Sequence, residues 1–236
     1  MIYVIFKGVP VKRHFRIFLS LAATSAAVSL FPSKGQAFDA AVVPPHAHPS
    51  ADTRLISISN SEEDMIAGAK TCIEKLSSRG IGFLADASLS EEQREAEFRK
   101  LLKDSFDMKT IGRFALGRYW KTSTKKEQEE YLRLFENMIV NVYSKRFSEY
   151  NGEMLEVGSA SATGDSDAIV SSYLVPDDGP KISVDWRVRY KNGQYKVVDI
   201  IVEKVSMSLT QRSDFASVIQ RGGGQVEVLL SHLREE

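Results

Sequence analysis

One carboxylate stands out among the residues that could carry chemistry. Asp199 lies in the run Val197-Val198-Asp199-Ile200-Ile201, so an ionisable group sits within an apolar stretch. Burial raises a carboxyl pKa, and an acid in that state can serve as a general base. The alternative is structural: Asp199 accepts a hydrogen bond from the Trp186 indole N–H or a neighbouring Arg, as buried polar groups usually do. The rest of a hydrolase is missing from the chain. No G-x-S-x-G, H-E-x-x-H or Cys-x-x-Cys is present. His232, the one histidine within the expected folded region, stands too near the chain end to be held rigidly beside a nucleophile. His46-x-His48 has a spacing that metals accept, but Pro44, Pro45 and Pro49 surround it and a site needs further ligands fixed in space. Glu62-Glu63, Glu91-Glu92 and Glu129-Glu130 fall at helix starts or on polar faces, where dipole and solvent explain them. No metal and no cofactor is expected.

The element that positions Asp199 is a hairpin. Ile182, Val184, Trp186, Val188 and Tyr190 alternate with polar residues, the period-2 pattern of a strand with one buried face. Asn192-Gly193 supplies the two residues that tolerate the left-handed conformation of a type I′ turn. With that turn the register follows: Tyr190 opposite Tyr195, Val188 opposite Val197, Trp186 opposite Asp199, Val184 opposite Ile201. The second strand, 195–205, is apolar on both faces toward its end, which calls for cover on both sides.

Helical spacing precedes this hairpin. Met65, Ile66, Ala69, Ile73 and Leu76 make one face of a helix capped by Ser61 and stopped at Gly80. Gly80-x-Gly82-x-x-Ala85 matches the dinucleotide fingerprint only formally, since no strand leads into it. Ser90 with Gln93 forms a capping box for a second helix, Asp107 caps a third, and Thr124 with Glu127 opens the longest, 125–150, bearing Tyr131, Leu134, Phe135, Met138, Val142 and Phe147. Strands at 154–160 and 168–175 bring the total to four, and helices at 209–221 and 225–234 close the chain. Gly222-Gly223-Gly224 between them lacks the Lys-Ser/Thr of a phosphate loop. The expected fold class is α+β: a helical N-terminal half packed on a curved four-stranded antiparallel sheet, with C-terminal helices.

Composition sets the class. The chain is 43% hydrophobic and 26% charged, an ordinary soluble balance. Residues 1–37 hold five Lys/Arg and no Asp/Glu, leaving 26 basic against 31 acidic beyond them, so no nucleic acid is expected as a partner. Lys12-Arg13-His14-Phe15-Arg16, the apolar run 17–31 and the small residues Gly35 and Ala37 read as a signal peptide, placing the mature start at Phe38. A Pro-rich flexible linker at 38–59 and a single domain at 60–236 are expected to follow. The lone Cys72 rules out an internal disulfide and fits a helical apolar face as a small hydrophobe.

Two blocks carry a family resemblance. Val198-Asp199-Ile200-Ile201-Val202-Glu203-Lys204-Val205-Ser206-Met207 with Thr210-Gln211-Arg212-Ser213-Asp214-Phe215 resembles the C-terminal signature of the MlaC family, the toluene-tolerance auxiliary proteins. Phe106-Asp107, then Ile111-Gly112-Arg113-Phe114-Ala115-Leu116-Gly117-Arg118-Tyr119-Trp120, then Gln128 through Phe135, resemble the same family's helical half. Lys204 departs from the pattern, which has Gly there, and puts a tight turn at that point in question. The resemblance implies an NTF2-like sheet and a periplasmic, monomeric, non-enzymatic phospholipid carrier. Its implied partners are an outer-membrane lipoprotein complex and an inner-membrane ABC transporter with an MCE-domain protein. A branch of the family associated with hopanoids, and an NTF2-like enzyme using Asp199, are the alternatives.

Physical chemistry sets what such a carrier needs. Two acyl chains of about 30 methylenes in all are worth up to ~24 kcal/mol at ~0.8 kcal/mol each, and a carrier must offset nearly all of that. Its cavity must therefore be deep and apolar, although the same apolar residues would serve equally as a filled core. The expected cavity walls are Tyr143, Phe147, Tyr173, Val184, Trp186, Val188, Ile201 and Val205. Arg113, Arg118 and Lys121 either meet an anionic headgroup or acidic partner, or are solvated charges.

Overall fold

A computed structural model describes residues 52–235, with side chains from Glu62 onward, so the leader expected at 1–37, and His46 and His48, lie outside the described residues. Helix α1, Asp52–Ala85, begins inside the stretch expected as a linker and passes through Gly80. Ser61 and Gly80 are therefore interior residues instead of helix ends. Phe83 and Leu84 extend the face of Ala69, Ile73 and Leu76 and are buried with it, which outweighs the roughly 1 kcal/mol that a helical Gly costs.

The next helices start where their caps place them. In α2, Glu91–Ser105, and α5, Lys125–Ser144, the capping boxes Ser90/Gln93 and Thr124/Glu127 are both complete. Between them lie α3, Met108–Leu116, capped by Asp107, and the single turn α4, Tyr119–Thr122. Helix α5 ends earlier than its periodicity suggests. The chain then makes a 3₁₀ turn, Phe147–Glu149, which buries Phe147 with its ring centroid 5.8 Å from Phe83 and 5.3 Å from Phe98.

The sheet is an antiparallel meander of five strands, one more than expected: β1 Met154–Thr163, β2 Asp167–Val175, β3 Ile182–Lys191, β4 Gln194–Val202 and β5 Val205–Ser206. Helices α6, Met207–Arg221, and α7, Val226–Glu235, follow. The extra strand exists because Glu203-Lys204 reverses the chain in two residues, with φ of 47° and 67°. The tight turn is thus kept despite Lys204. Glu203 clamps it to β3, its backbone N–H donating to the Ser183 carbonyl at 3.0 Å and its carboxylate accepting from the Ser183 N–H at 2.7 Å. A left-handed non-glycine costs about 1–2 kcal/mol, part of which glycine returns through unfolded-state entropy. Lys204→Gly is therefore expected to raise stability by about 0.5–1 kcal/mol, read as a rise of roughly 2 °C in thermal midpoint.

The hairpin turn has the expected form, with φ of 52° at Asn192 and 75° at Gly193, and Tyr190 faces Tyr195 and Val188 faces Val197. Beyond that pair the register changes. A bulge at Val198 sets Arg187 opposite Asp199, Trp186 opposite Ile200 and Val184 opposite Val202, so the expected pairs Trp186/Asp199 and Val184/Ile201 do not form. One extra residue lets Val197, Ile200 and Val202 all share the face of Trp186, which accounts for much of the strand's two-faced apolar look. Toward the end of β4 the apolar residues are covered on both faces, Val197, Val198 and Val202 being buried and Ile200 and Ile201 half-buried, whereas on β2 and β3 the outer face is open at Tyr173 and Arg187.

Two hydrophobic cores result. The first lies between the sheet and α1, α2, with Ile73, Phe98, Val170, Trp186 and Val197 at its centre. The second joins α3, α5, α6 and α7 around the rings of Tyr131, Phe135 and Phe215, with Leu229 and Leu230. Gly112 lets α3 close on α5: a Cβ there would stand 2.9 Å from Leu132 Cδ2, and the buried Tyr131 hydroxyl donates to the Gly112 carbonyl at 2.9 Å.

Candidate functional site

A cavity of about 190 Å³ opens where the two cores meet. Phe98 and Leu102 reach it from α2, Met108 and Ile111 from α3, Phe135, Ile139 and Tyr143 from α5, and Trp186 and Ile200 from the sheet. These walls are apolar because the elements behind them bury apolar faces against one another. Polar groups gather on one side, where α6 brings Ser208, Thr210, Gln211 and Asp214.

The indole of the wall is satisfied by a buried hydrogen-bond chain. Trp186 is fully buried, and its indole N–H donates to Ser172 Oγ at 3.0 Å, which itself donates to the Val184 carbonyl at 2.8 Å. Burial pushes the Tyr143 phenol above its ordinary pKa, only partly countered by Arg146, so this side chain is neutral at physiological pH.

Asp199 stands at the rim. One carboxylate oxygen accepts from the Ser206 hydroxyl at 2.6 Å, and the other from the backbone N–H groups of Ser208 at 3.1 Å and Ile200 at 2.9 Å. Ser206 Oγ in turn accepts from the Leu209 N–H at 3.1 Å. The charge thus rests at the N-terminus of α6, where the helix dipole favours it. A hydrogen-bonded, structural Asp199 was one of the two sequence readings, but its partners are different ones, since Trp186 is engaged by Ser172 and Arg187 by Asp167. The bulge at Val198 is the reason. Among the described residues no group of three His, Cys, Asp or Glu is arranged to hold a metal, and no helix is long and apolar enough to cross a membrane.

The eight expected wall residues separate. Tyr143 and Trp186 line the cavity. Phe147, Val184 and Val188 lie beside it in the closed first core. Ile201 is half-buried opposite Asp185, while Tyr173 and Val205 are 49% and 39% exposed. Phe98, Leu102, Ile111, Phe135 and Ile139, none of them among the eight, also line the cavity, and their helical spacing by itself reads as core. Ile200 is missed because strict alternation in β4 puts that residue on the wrong face.

The family model described as MlaC protein matches residues 75–235. The intermembrane phospholipid transport system binding protein MlaC of Haemophilus influenzae is 20% identical over 133 residues, covering 55% of this chain and 61% of that protein. The toluene tolerance protein ttg2D of Pseudomonas putida is 23% identical over 110 residues, covering 47% of this chain and 51% of that one. The aligned parts thus span between half and three-fifths of these relatives. A solved phospholipid-binding protein from Ralstonia solanacearum, in complex with a phospholipid, superposes with a TM-score of 0.62 at 22% identity, covering 71% of this chain and 95% of that chain, and so shares the fold.

Proposed function

Since the chain belongs to the MlaC family, we propose that it is a phospholipid carrier of the periplasm, holding acyl tails in the cavity between its two cores and leaving the headgroup outside. The observation that carries this reading is the apolar void itself, bounded by Trp186 and Ile200 below and Ile139 and Tyr143 above. The polar side chains on α6 offer the end at which a headgroup would emerge.

Size decides how a tail would enter. A dry engineered cavity of about 150 Å³ takes one benzene, whereas pockets for drug-sized ligands run to about 300–1,000 Å³. A void of about 190 Å³ therefore accepts a chain end, and full tails require the seam between the cores to widen. Met108, Ile111 and Ile139 pack against both cores, so parting α3 and α5 from the sheet opens the space without breaking a strand pair. In the cell such a carrier would pass lipid between an outer-membrane lipoprotein complex and an inner-membrane ABC transporter with an MCE-domain protein, working as a monomer without a catalytic step.

Protein purified without detergent should yield phospholipid on organic extraction, near one molecule per chain, and native mass spectrometry should show the bound form. A hopanoid mass in that extract would assign the chain to the alternative lipid class. Bare protein that also fails to take up phospholipid from vesicles would end the carrier reading.

A further inference from the structure

The charge of this chain is segregated. Residues 108–126 hold six Lys/Arg and no Asp/Glu, whereas the rest of the chain beyond residue 37 carries 20 Lys/Arg against 31 Asp/Glu. In the fold this stretch is α3, α4 and the start of α5. Three guanidiniums there lie over aromatic rings: Arg113 over Trp120 at 5.2 Å, Arg118 over Tyr119 at 5.0 Å, and Arg212, from the neighbouring α6, over Phe114 at 5.3 Å. Among the described residues, Arg113, Arg118, Lys121 and Arg212 have no carboxylate partner. The surface is also greasy, with Phe114 41% exposed and Leu209 54% exposed, the latter one turn from Arg212 on the same side of α6.

From this arrangement we infer that the α3–α4–α6 surface docks on an anionic lipid bilayer. Unpaired cations attract lipid phosphates within a Debye length, and aromatic rings with an apolar body and polar edge suit the headgroup layer. The acidic remainder of the molecule is repelled by the same surface, so the field orients the protein with this side inward. Two of the three helices that form the surface also bound the cavity, Met108 and Ile111 on α3 and Met207 and Gln211 on α6, so docking brings the cavity to the membrane. The choice of a bilayer over another anionic surface rests on the carrier reading.

Flotation of the purified protein with vesicles tests this. Binding is expected to phosphatidylglycerol-containing vesicles and not to pure phosphatidylcholine, and to weaken steeply with salt. Each basic residue near an anionic membrane is worth about fivefold, so Arg113→Ala/Arg118→Ala/Lys121→Ala should weaken binding by roughly 100-fold. Phe114→Ser/Leu209→Ser, which keeps every cation and removes two partly exposed apolar groups, should weaken it by at least about tenfold, and a thermal midpoint near that of the unaltered chain guards against a folding defect in either variant. Failure of the unaltered chain to float with anionic vesicles, equal flotation with neutral ones, or unchanged binding by both variants would overturn the inference, and capture by an acidic protein without vesicle binding would do the same. Loss of co-purified lipid with flotation intact would count against the carrier reading instead.

Discussion

Ile139→Trp is expected to empty the protein of lipid while leaving it folded. Ile139 lies on α5 across the cavity from the sheet, where it is half-buried and packs against both cores. A larger apolar side chain there occupies space that a tail would otherwise fill. Each displaced methylene is worth ~0.8 kcal/mol and each tenfold in affinity about 1.4 kcal/mol, so excluding four methylenes lowers lipid affinity by roughly 200-fold. Filling a void with an apolar group of tolerable shape costs little, so the thermal midpoint should stay within a few degrees or rise. Lipid phosphorus per mole of protein after detergent-free purification is the measurement. A wild-type lipid content would mean that the tails lie elsewhere, and the walls expected from sequence but closed in this structure, Phe147, Val184 and Val188, would be the next to test.

The second large effect concerns stability and comes from the other face of the sheet. Asp167, with its side chain 4% exposed, receives Arg187 Nε at 2.7 Å and Arg189 Nε and Nη2 at 2.6 and 2.8 Å. Burial pushes this carboxyl up, but the hydrogen bonds and charges of Arg189 and Arg187 together outweigh it and hold the pKa below the ordinary aspartate range. Asp167→Ala removes the shared acid and leaves two cations two residues apart on the same face of β3. Breaking a buried pair costs about 3–5 kcal/mol, and because Arg187 and Arg189 are 46% and 33% exposed, solvent screening lowers the expectation to about 2–3 kcal/mol, or roughly 5–10 °C in thermal midpoint. The pH dependence has a definite sign. A carboxyl whose folded pKa is depressed contributes stability above its unfolded value, near 4, and loses it as pH falls through the folded value. Urea midpoints should therefore drop below about pH 4 in the wild type and drop less steeply in Asp167→Asn. Parallel curves would show that the three side chains are not coupled in solution.

Much of this molecule is written locally in its residues. The capping boxes at Ser90 and Thr124, the Asn192-Gly193 turn and the strand read from the alternation of Val184, Trp186 and Val188 each rest on interactions within a few residues and form as read, and the face of α5 does so from Tyr131 to Met138, while Val142 is exposed and Phe147 falls beyond the helix end. The two MlaC-like blocks sufficed to indicate the family. What composition and spacing could not reveal depends on residues distant in the chain. Helix α1 continues past Gly80 because Phe83 finds Phe147, more than sixty positions later. Val198 bulges because Val197 and Ile200 are both drawn to the face of Trp186, and that single extra residue moves Asp199 from a partner of the indole to an anchor for α6. The cavity is the extreme case. An apolar stripe reads the same whether it packs solidly or borders a void, and only the joint fit of α2, α3, α5, α6 and the sheet decides which side chains leave space between them. Hydrogen-bonded periodicity is a property of neighbours along the chain, whereas a gap belongs to no residue and arises from the shapes of elements meeting in three dimensions.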